Sequence, residues 1–70
     1  MERTAVRSTE IAIVGYDQSS KKLEIAFRTG SVYHYEDVPQ EIYEGLIRAK
    51  SVGTYFAEYV KNTYSYVKMH

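Results

Sequence analysis

Two tyrosines flank a histidine in the stretch GSVYHYEDVP, which runs from Gly30 to Pro39. If Tyr33 and Tyr35 are exposed on a sheet, their rings could stack on the bases of single-stranded nucleic acid. If they face helices, the same rings are sheet core with hydroxyls at the edge. A third arrangement buries one ring and leaves the other at the rim. The residues alone leave all three arrangements open.

Catalytic groups are scarce in this chain. His34 is the one histidine inside the predicted domain, since His70 ends the chain, where residues are usually disordered. Ser31 or Ser51 could be imagined with His34, but no spacing supports such a set. There is no cysteine, and no His/Cys pair has metal-ligand spacing. We therefore expect a non-enzymatic protein without a catalytic residue, a metal or a cofactor.

A candidate anion site lies in the stretch SVGTYF, which follows two cations. Ser51 and Gly53 stand at a predicted helix start, with Arg48 and Lys50 just before them. Free helix amides beside two cations could hold a phosphate. The alternative is a simple corner between two helices in which Ser51 caps the second helix.

Charge is balanced overall but uneven along the chain. Nine basic and nine acidic residues give a net charge of zero. Residues 36–47 have four acidic groups and no basic one, whereas residues 48–70 have four basic groups against one glutamate. Nucleic-acid binding draws on clustered Lys and Arg that displace counterions from phosphates. A neutral chain is poorly suited to delocalised binding, but it could have one basic edge.

Length and composition predict one cytoplasmic domain. Seventy residues suffice for a single domain near the lower size limit for independent folding. The absence of cysteine fits the cytosol. The first ten residues are charged and polar, and no apolar run approaches a membrane span of about 20 residues. We expect residues 1–8 to form a flexible arm, residues 9–66 the domain and residues 67–70 a tail.

Residue patterns predict an α+β fold with three strands followed by two helices. EIAIVGYD, KLEIAFR and SVYHYED read as strands of an antiparallel meander, separated by a polar turn and a short loop. After Pro39, apolar residues at helical spacing predict one amphipathic helix, and a second begins after Ser51 and ends near Asn62. Both would cover one face of the sheet. The alternating tail TYSYVKM could add a short extended segment.

The loop between the second and third strands decides where the two tyrosines point. A three-residue loop, Arg28-Thr29-Gly30, puts Gly30 at the left-handed position and places both tyrosines on the apolar face. A two-residue loop, Thr29-Gly30, turns them to the open face, because a shift of one residue exchanges the two faces. We favour the three-residue loop.

The order of these segments resembles the KTSC domain, which is named for the C-terminal region of some lysyl-tRNA synthetases. The resemblance covers roughly residues 8–66. It rests on the stretches STEIAIVGYD, LEIAFRTGSVYHYEDVP and SVGTYFAEYVKNTY. The family also includes small stand-alone bacterial or phage proteins of unassigned function, and the fusion to a synthetase implies an RNA-related role.

These observations lead to two binding hypotheses. The first is an RNA-binding module for tRNA or single-stranded RNA. Its contacts would be Arg28, Tyr33, His34, Tyr35, Arg48, Lys50 and Lys61. The second is a protein-interaction module or homodimer that uses a tyrosine-rich surface. Salt separates them, because phosphate contacts weaken steeply with added salt.

Overall fold

The chain forms one five-stranded antiparallel sheet, and both helices are inserted between the fourth and fifth strands. The computed structural model describes residues 1–70. The strands follow one another in the sheet in chain order. The elements are β1 (Glu2–Ala5), β2 (Ile11–Asp17), β3 (Lys22–Phe27), β4 (Val32–Tyr35), α1 (Gln40–Arg48), α2 (Val52–Tyr59) and β5 (Tyr66–Lys68).

The α+β class is confirmed, but the three-stranded sheet was an underestimate. Residues Glu2–Ala5, expected within a flexible arm, pair with β2 as strand β1. The extended tail is strand β5, which pairs with β4 and takes in two residues of the predicted tail. Both added strands are short and mostly exposed. They are held by backbone pairing to a sheet that the longer strands already define, and neither strand has a buried face of its own.

The β3–β4 hairpin has the three-residue loop. Gly30 has φ of +100°, the left-handed conformation that glycine adopts without steric cost. The Phe27 amide donates to the Ser31 carbonyl at 2.8 Å and closes the loop. Ile25 therefore lies opposite Tyr33, and Leu23 lies opposite Tyr35. Both tyrosines share the face that carries the buried side chains of β3.

The two helices begin where the sequence predicts. Pro39, with ψ of 150°, precedes the first residue of α1. Ser51 caps α2, because its Oγ accepts the Thr54 amide at 3.3 Å. The second helix ends at Tyr59 rather than at Asn62, since turns occupy the intervening residues. Neither helix is long and apolar enough to cross a bilayer.

The core lies between the helices and one face of the sheet. Its twelve buried side chains are Ile11, Val14, Tyr16, Leu23, Ile25, Tyr35, Val38, Tyr43, Leu46, Val52, Phe56 and Val60. No helix covers the other sheet face, where Ile13 lies opposite Ala26 and Glu24 lies opposite His34. The tyrosines of β4 are thus on the helix side and His34 is on the uncovered side, because neighbouring residues of a strand alternate between faces.

Candidate functional site

An open cleft of about 420 Å³ lies between the sheet and α2, and we call it the tyrosine cleft. Its walls come from β3, β4, β5 and the loop between β3 and β4, and from α2 and the turn that follows it. The lining residues are Glu10, Phe27, Thr29, Ser31, Tyr33, Tyr35, Gly53, Phe56, Ala57, Lys61, Asn62 and Tyr66. Its volume is within the range of small-molecule sites, roughly 300–1,000 Å³.

Three tyrosines at graded depth form one side of the tyrosine cleft. Tyr35 is 4% exposed and belongs to the core, whereas Tyr33 is half-buried. Tyr66 of β5 is 55% exposed. The ring centroids of Tyr33 and Tyr66 are 5.3 Å apart, and those of Tyr35 and Tyr66 are 5.5 Å apart. The structure therefore shows the third of the arrangements considered above, in which one ring of the β4 pair, Tyr35, is buried and the other, Tyr33, lies at the rim.

Two phenylalanines hold these rings in place. Phe27 meets Tyr33 edge to face at 5.6 Å, and Phe56 of α2 meets Tyr35 in the same way at 5.6 Å. Such contacts restrict ring rotation and stabilise the pair beyond simple burial. Burial, with smaller contributions from Tyr33 and Tyr66, raises the pKa of Tyr35 to about 12. Its hydroxyl therefore stays protonated even in moderately alkaline solution, where an unperturbed tyrosine begins to ionise.

One cation and one carboxylate stand at the rim of the cleft. Lys61 and Glu10 are both exposed, and neither takes part in an ion pair. Both ion pairs of the molecule are made by Glu24 on the opposite sheet face. The two rim charges are thus available to a bound molecule.

A second cleft of about 590 Å³ adjoins the first at the start of α2, and we call it the corner cleft. Glu10, Gly53 and Ala57 line both clefts. The remaining lining residues are Arg7, Ser8, Thr9, Lys50, Ser51, Val52, Thr54 and Glu58. The predicted anion-site residues Ser51 and Gly53 are therefore here with Lys50, and Arg7 adds a cation that sequence reasoning missed.

The predicted contact residues do not form one surface. Tyr33, Tyr35 and Lys61 share the tyrosine cleft, and Lys50 lines the corner cleft beside it. Three others lie outside both clefts. Arg28 donates from Nε to the Ser8 carbonyl at 2.7 Å, His34 is on the uncovered sheet face 3.8 Å from the Glu24 carboxylate, and Arg48 ends α1.

Tyr66, Phe27 and Glu10 are cleft residues that the sequence analysis did not select. For Tyr66, the alternating tail was the available signal, since a fifth strand beside β4 places alternate residues on the tyrosine face. Glu10 offered none, because its role depends on how close the start of β2 lies to α2. No group of three or more His, Cys, Asp or Glu side chains is arranged to hold a metal ion.

The geometry defines a small α+β domain whose two helices cover one face of an antiparallel sheet and leave an aromatic cleft at its edge. The KTSC domain model matches residues 7–64, and the chain belongs to the KTSC domain family. This confirms the resemblance seen in the sequence. Strand β5, with Tyr66, lies beyond the matched residues.

Known relatives include stand-alone proteins and parts of larger ones. A KTSC domain protein from Yersinia pestis, solved by crystallography, is 32% identical and superposes with a TM-score of 0.94 over 99% of this chain and 97% of its own. An uncharacterised protein from Stutzerimonas stutzeri is 38% identical over 61 residues, which cover 87% of this chain and 86% of that protein. A lysine–tRNA ligase from Nostoc punctiforme is 35% identical over 54 residues, which cover 77% of this chain and 10% of the ligase.

Proposed function

We propose that the protein is a non-catalytic module that binds single-stranded RNA or an unpaired part of tRNA through the tyrosine cleft. The observation behind this proposal is the accessible pair of rings, Tyr33 and Tyr66, beside the unpaired cation Lys61. An unpaired base would stack on the more exposed ring, Tyr66, with the Tyr33 ring tilted by 51° beside it, and Lys61 would contact a phosphate. The module would act in the cytoplasm, which suits a chain without cysteine.

The energetics favour short, single-stranded ligands over a long duplex. Stacking of a base on an aromatic side chain is worth about 1–3 kcal/mol and requires an unstacked base. The corner cleft continues from the tyrosine cleft and brings Lys50 and Arg7 within its walls. Three cations in adjoining clefts could follow a short stretch of backbone. Glu10 and Glu58 lie in the same walls, and their negative charges would repel the many phosphates of a long duplex.

The presence of similar segments in lysine–tRNA ligases supports an RNA-related role. Lysine–tRNA ligases from Nostoc punctiforme and Trichormus variabilis each contain a segment 35% identical to this chain, which amounts to 10% of their length. A domain joined to a ligase of that name would act near tRNA.

An amide NMR titration of the labelled protein with tRNA and with a short single-stranded RNA tests the proposal. We expect shifts around residues 27–35 and 61–66 that shrink when the salt concentration rises. Lys61→Ala and Lys50→Ala should weaken binding and flatten its salt dependence. Arg48→Ala is the matched control, because this arginine lines neither cleft. Spectra that do not change with either RNA would contradict the proposal.

A second candidate function is protein interaction, including self-association. The observation that favours it is the uncovered sheet face, where Ile13, Val67 and Met69 are exposed by 37%, 52% and 54%. A tyrosine pair on α2, Tyr55 with the exposed Tyr59, offers a further aromatic surface. Sedimentation at increasing protein concentration tests this candidate, since an apolar interface should persist in salt that abolishes RNA binding.

A further inference from the structure

We infer that the tyrosine cleft prefers an unpaired guanine, and that the Glu10 carboxylate provides the preference by accepting hydrogen bonds from the guanine N1–H and N2–H groups. The inference rests on the proposed RNA function and adds a base specificity to it. Phosphate binding and base stacking do not explain why a free carboxylate, that of Glu10, lies at the rim of the tyrosine cleft.

Glu10 is held at the rim by its backbone. Its carbonyl accepts the Arg28 amide at 2.8 Å, and its amide donates to Ser8 Oγ at 3.2 Å. The side chain extends toward α2, where its Oε1 would lie 3.6 Å from a Cβ built on Gly53. The carboxylate has no hydrogen bond and no ion pair within the chain. A fixed backbone therefore presents two unoccupied acceptor atoms to both clefts.

A carboxylate discriminates among bases by the donors on their edges. An ionised carboxylate only accepts hydrogen bonds, and two parallel N–H donors can bind it in a bidentate way. Guanine offers two adjacent donors on its Watson–Crick edge, N1–H and the N2 amino group. Adenine and cytosine offer one amino group beside an acceptor nitrogen, and uracil offers one N–H between two carbonyls. A carboxylate facing those acceptors is repelled, so guanine is the base that suits it.

The two rim charges fit different parts of one nucleotide. Glu10 and Lys61 do not pair with each other, although both line the tyrosine cleft. A phosphate beside Glu10 would be repelled, whereas a phosphate beside Lys61 would be attracted. A nucleotide with its base edge toward Glu10, its ring stacked on Tyr66 beside Tyr33, and its phosphate toward Lys61 satisfies all of these groups.

Binding of labelled RNA pentamers of sequence UUXUU, with X as each of the four bases, tests the inference. At one fixed salt concentration we expect the guanine pentamer to bind roughly tenfold more tightly than the adenine pentamer, a typical preference for a bidentate contact. Inosine, which keeps N1–H but lacks the N2 amino group, should fall between them. In Glu10→Gln the guanine preference should disappear. In Glu44→Gln it should persist, because Glu44 lies on α1 and lines neither cleft.

The possible failures are distinguishable. Equal affinities for all four pentamers would overturn the guanine preference and leave RNA binding intact. A guanine preference that survives Glu10→Gln would overturn the role of Glu10. If no pentamer binds, both this inference and the proposed function fail. Far-UV circular dichroism of both glutamine variants confirms that the compared proteins are folded.

Discussion

Gly45, in the middle of α1, allows the two helices to approach each other, and replacing it by alanine tests the helix corner that shapes both clefts. A Cβ built at this position would lie 2.7 Å from Cζ and 3.1 Å from Cε2 of the half-buried Tyr55 ring. Because real Cβ atoms do not approach so closely, the ring must move or the helices must separate. The start of α2, which lines both clefts, would move with them.

Two opposing effects determine how much Gly45→Ala changes the free energy of unfolding. Alanine is favoured over glycine inside a helix by about 1 kcal/mol. Overpacking of a contact such as the one between Gly45 and Tyr55 costs about 1–3 kcal/mol. We therefore expect Gly45→Ala to lower the free energy of unfolding by up to about 2 kcal/mol, although helix propensity alone predicts an increase.

A double-mutant cycle of Gly45→Ala and Tyr55→Ala tests the steric contact, with the free energy of unfolding measured in urea by circular dichroism. In a Tyr55→Ala background the obstruction is absent, so Gly45→Ala should stabilise the protein by about 1 kcal/mol. Gly53→Ala is a matched control, because its Cβ would meet side-chain oxygens of Glu10 and Ser8 only at 3.6 and 3.7 Å, which are ordinary contact distances. An equal effect of Gly45→Ala in both backgrounds would refute the steric argument.

Two further predictions concern the core and the helix cap. Since the pKa of Tyr35 is raised to about 12 in the folded protein, the unfolded chain loses this proton first as the pH rises above about 10. The free energy of unfolding should therefore fall as the pH rises from about 10 to about 12, by roughly 1 kcal/mol once solvent screening at the open cleft is allowed for. Urea unfolding across this pH range should show that Tyr35→Phe lacks this loss of stability. Ser51→Ala should cost about 1 kcal/mol and Ser51→Gly only a few tenths, because the Oγ that accepts the Thr54 amide is lost in both but glycine is itself a good N-cap. Equal losses in these two Ser51 variants would show that capping does not determine the stability of α2.

The central part of the fold was predictable because local patterns and turn chemistry agree there. The alternation of Leu23, Ile25 and Phe27 set the buried face of β3, and a glycine at position 30 selected the loop that fixes the register of β4. Ser51 indicated the start of α2 through its capping chemistry, together with the apolar pattern that follows it. These features depend on neighbours within a few residues, which a sequence displays directly.

The outer strands and most of the site depend on contacts that are distant in sequence. Strand β1 has the polar sequence ERTA, and its position is set by pairing with β2, which also lets Arg3 reach Glu24 at 3.0 Å. Tyr66 enters the tyrosine cleft only because the chain returns after α2 to the free edge of β4. His34 was grouped with the tyrosines as an RNA contact, but the alternation of side chains along β4 keeps it on the uncovered face, as the favoured three-residue loop predicts.

The most direct test of RNA binding in the tyrosine cleft compares Tyr66→Ala with the wild type in RNA affinity at about 50 and 200 mM salt. Tyr66 is 55% exposed, so its loss should leave the fold intact. If RNA binds in this cleft, Tyr66→Ala should weaken binding at both salt concentrations by roughly the 1–3 kcal/mol of one stacked base, with an unchanged salt dependence. Wild-type affinity in the Tyr66→Ala variant would refute binding in the tyrosine cleft and place any RNA contact elsewhere on the protein.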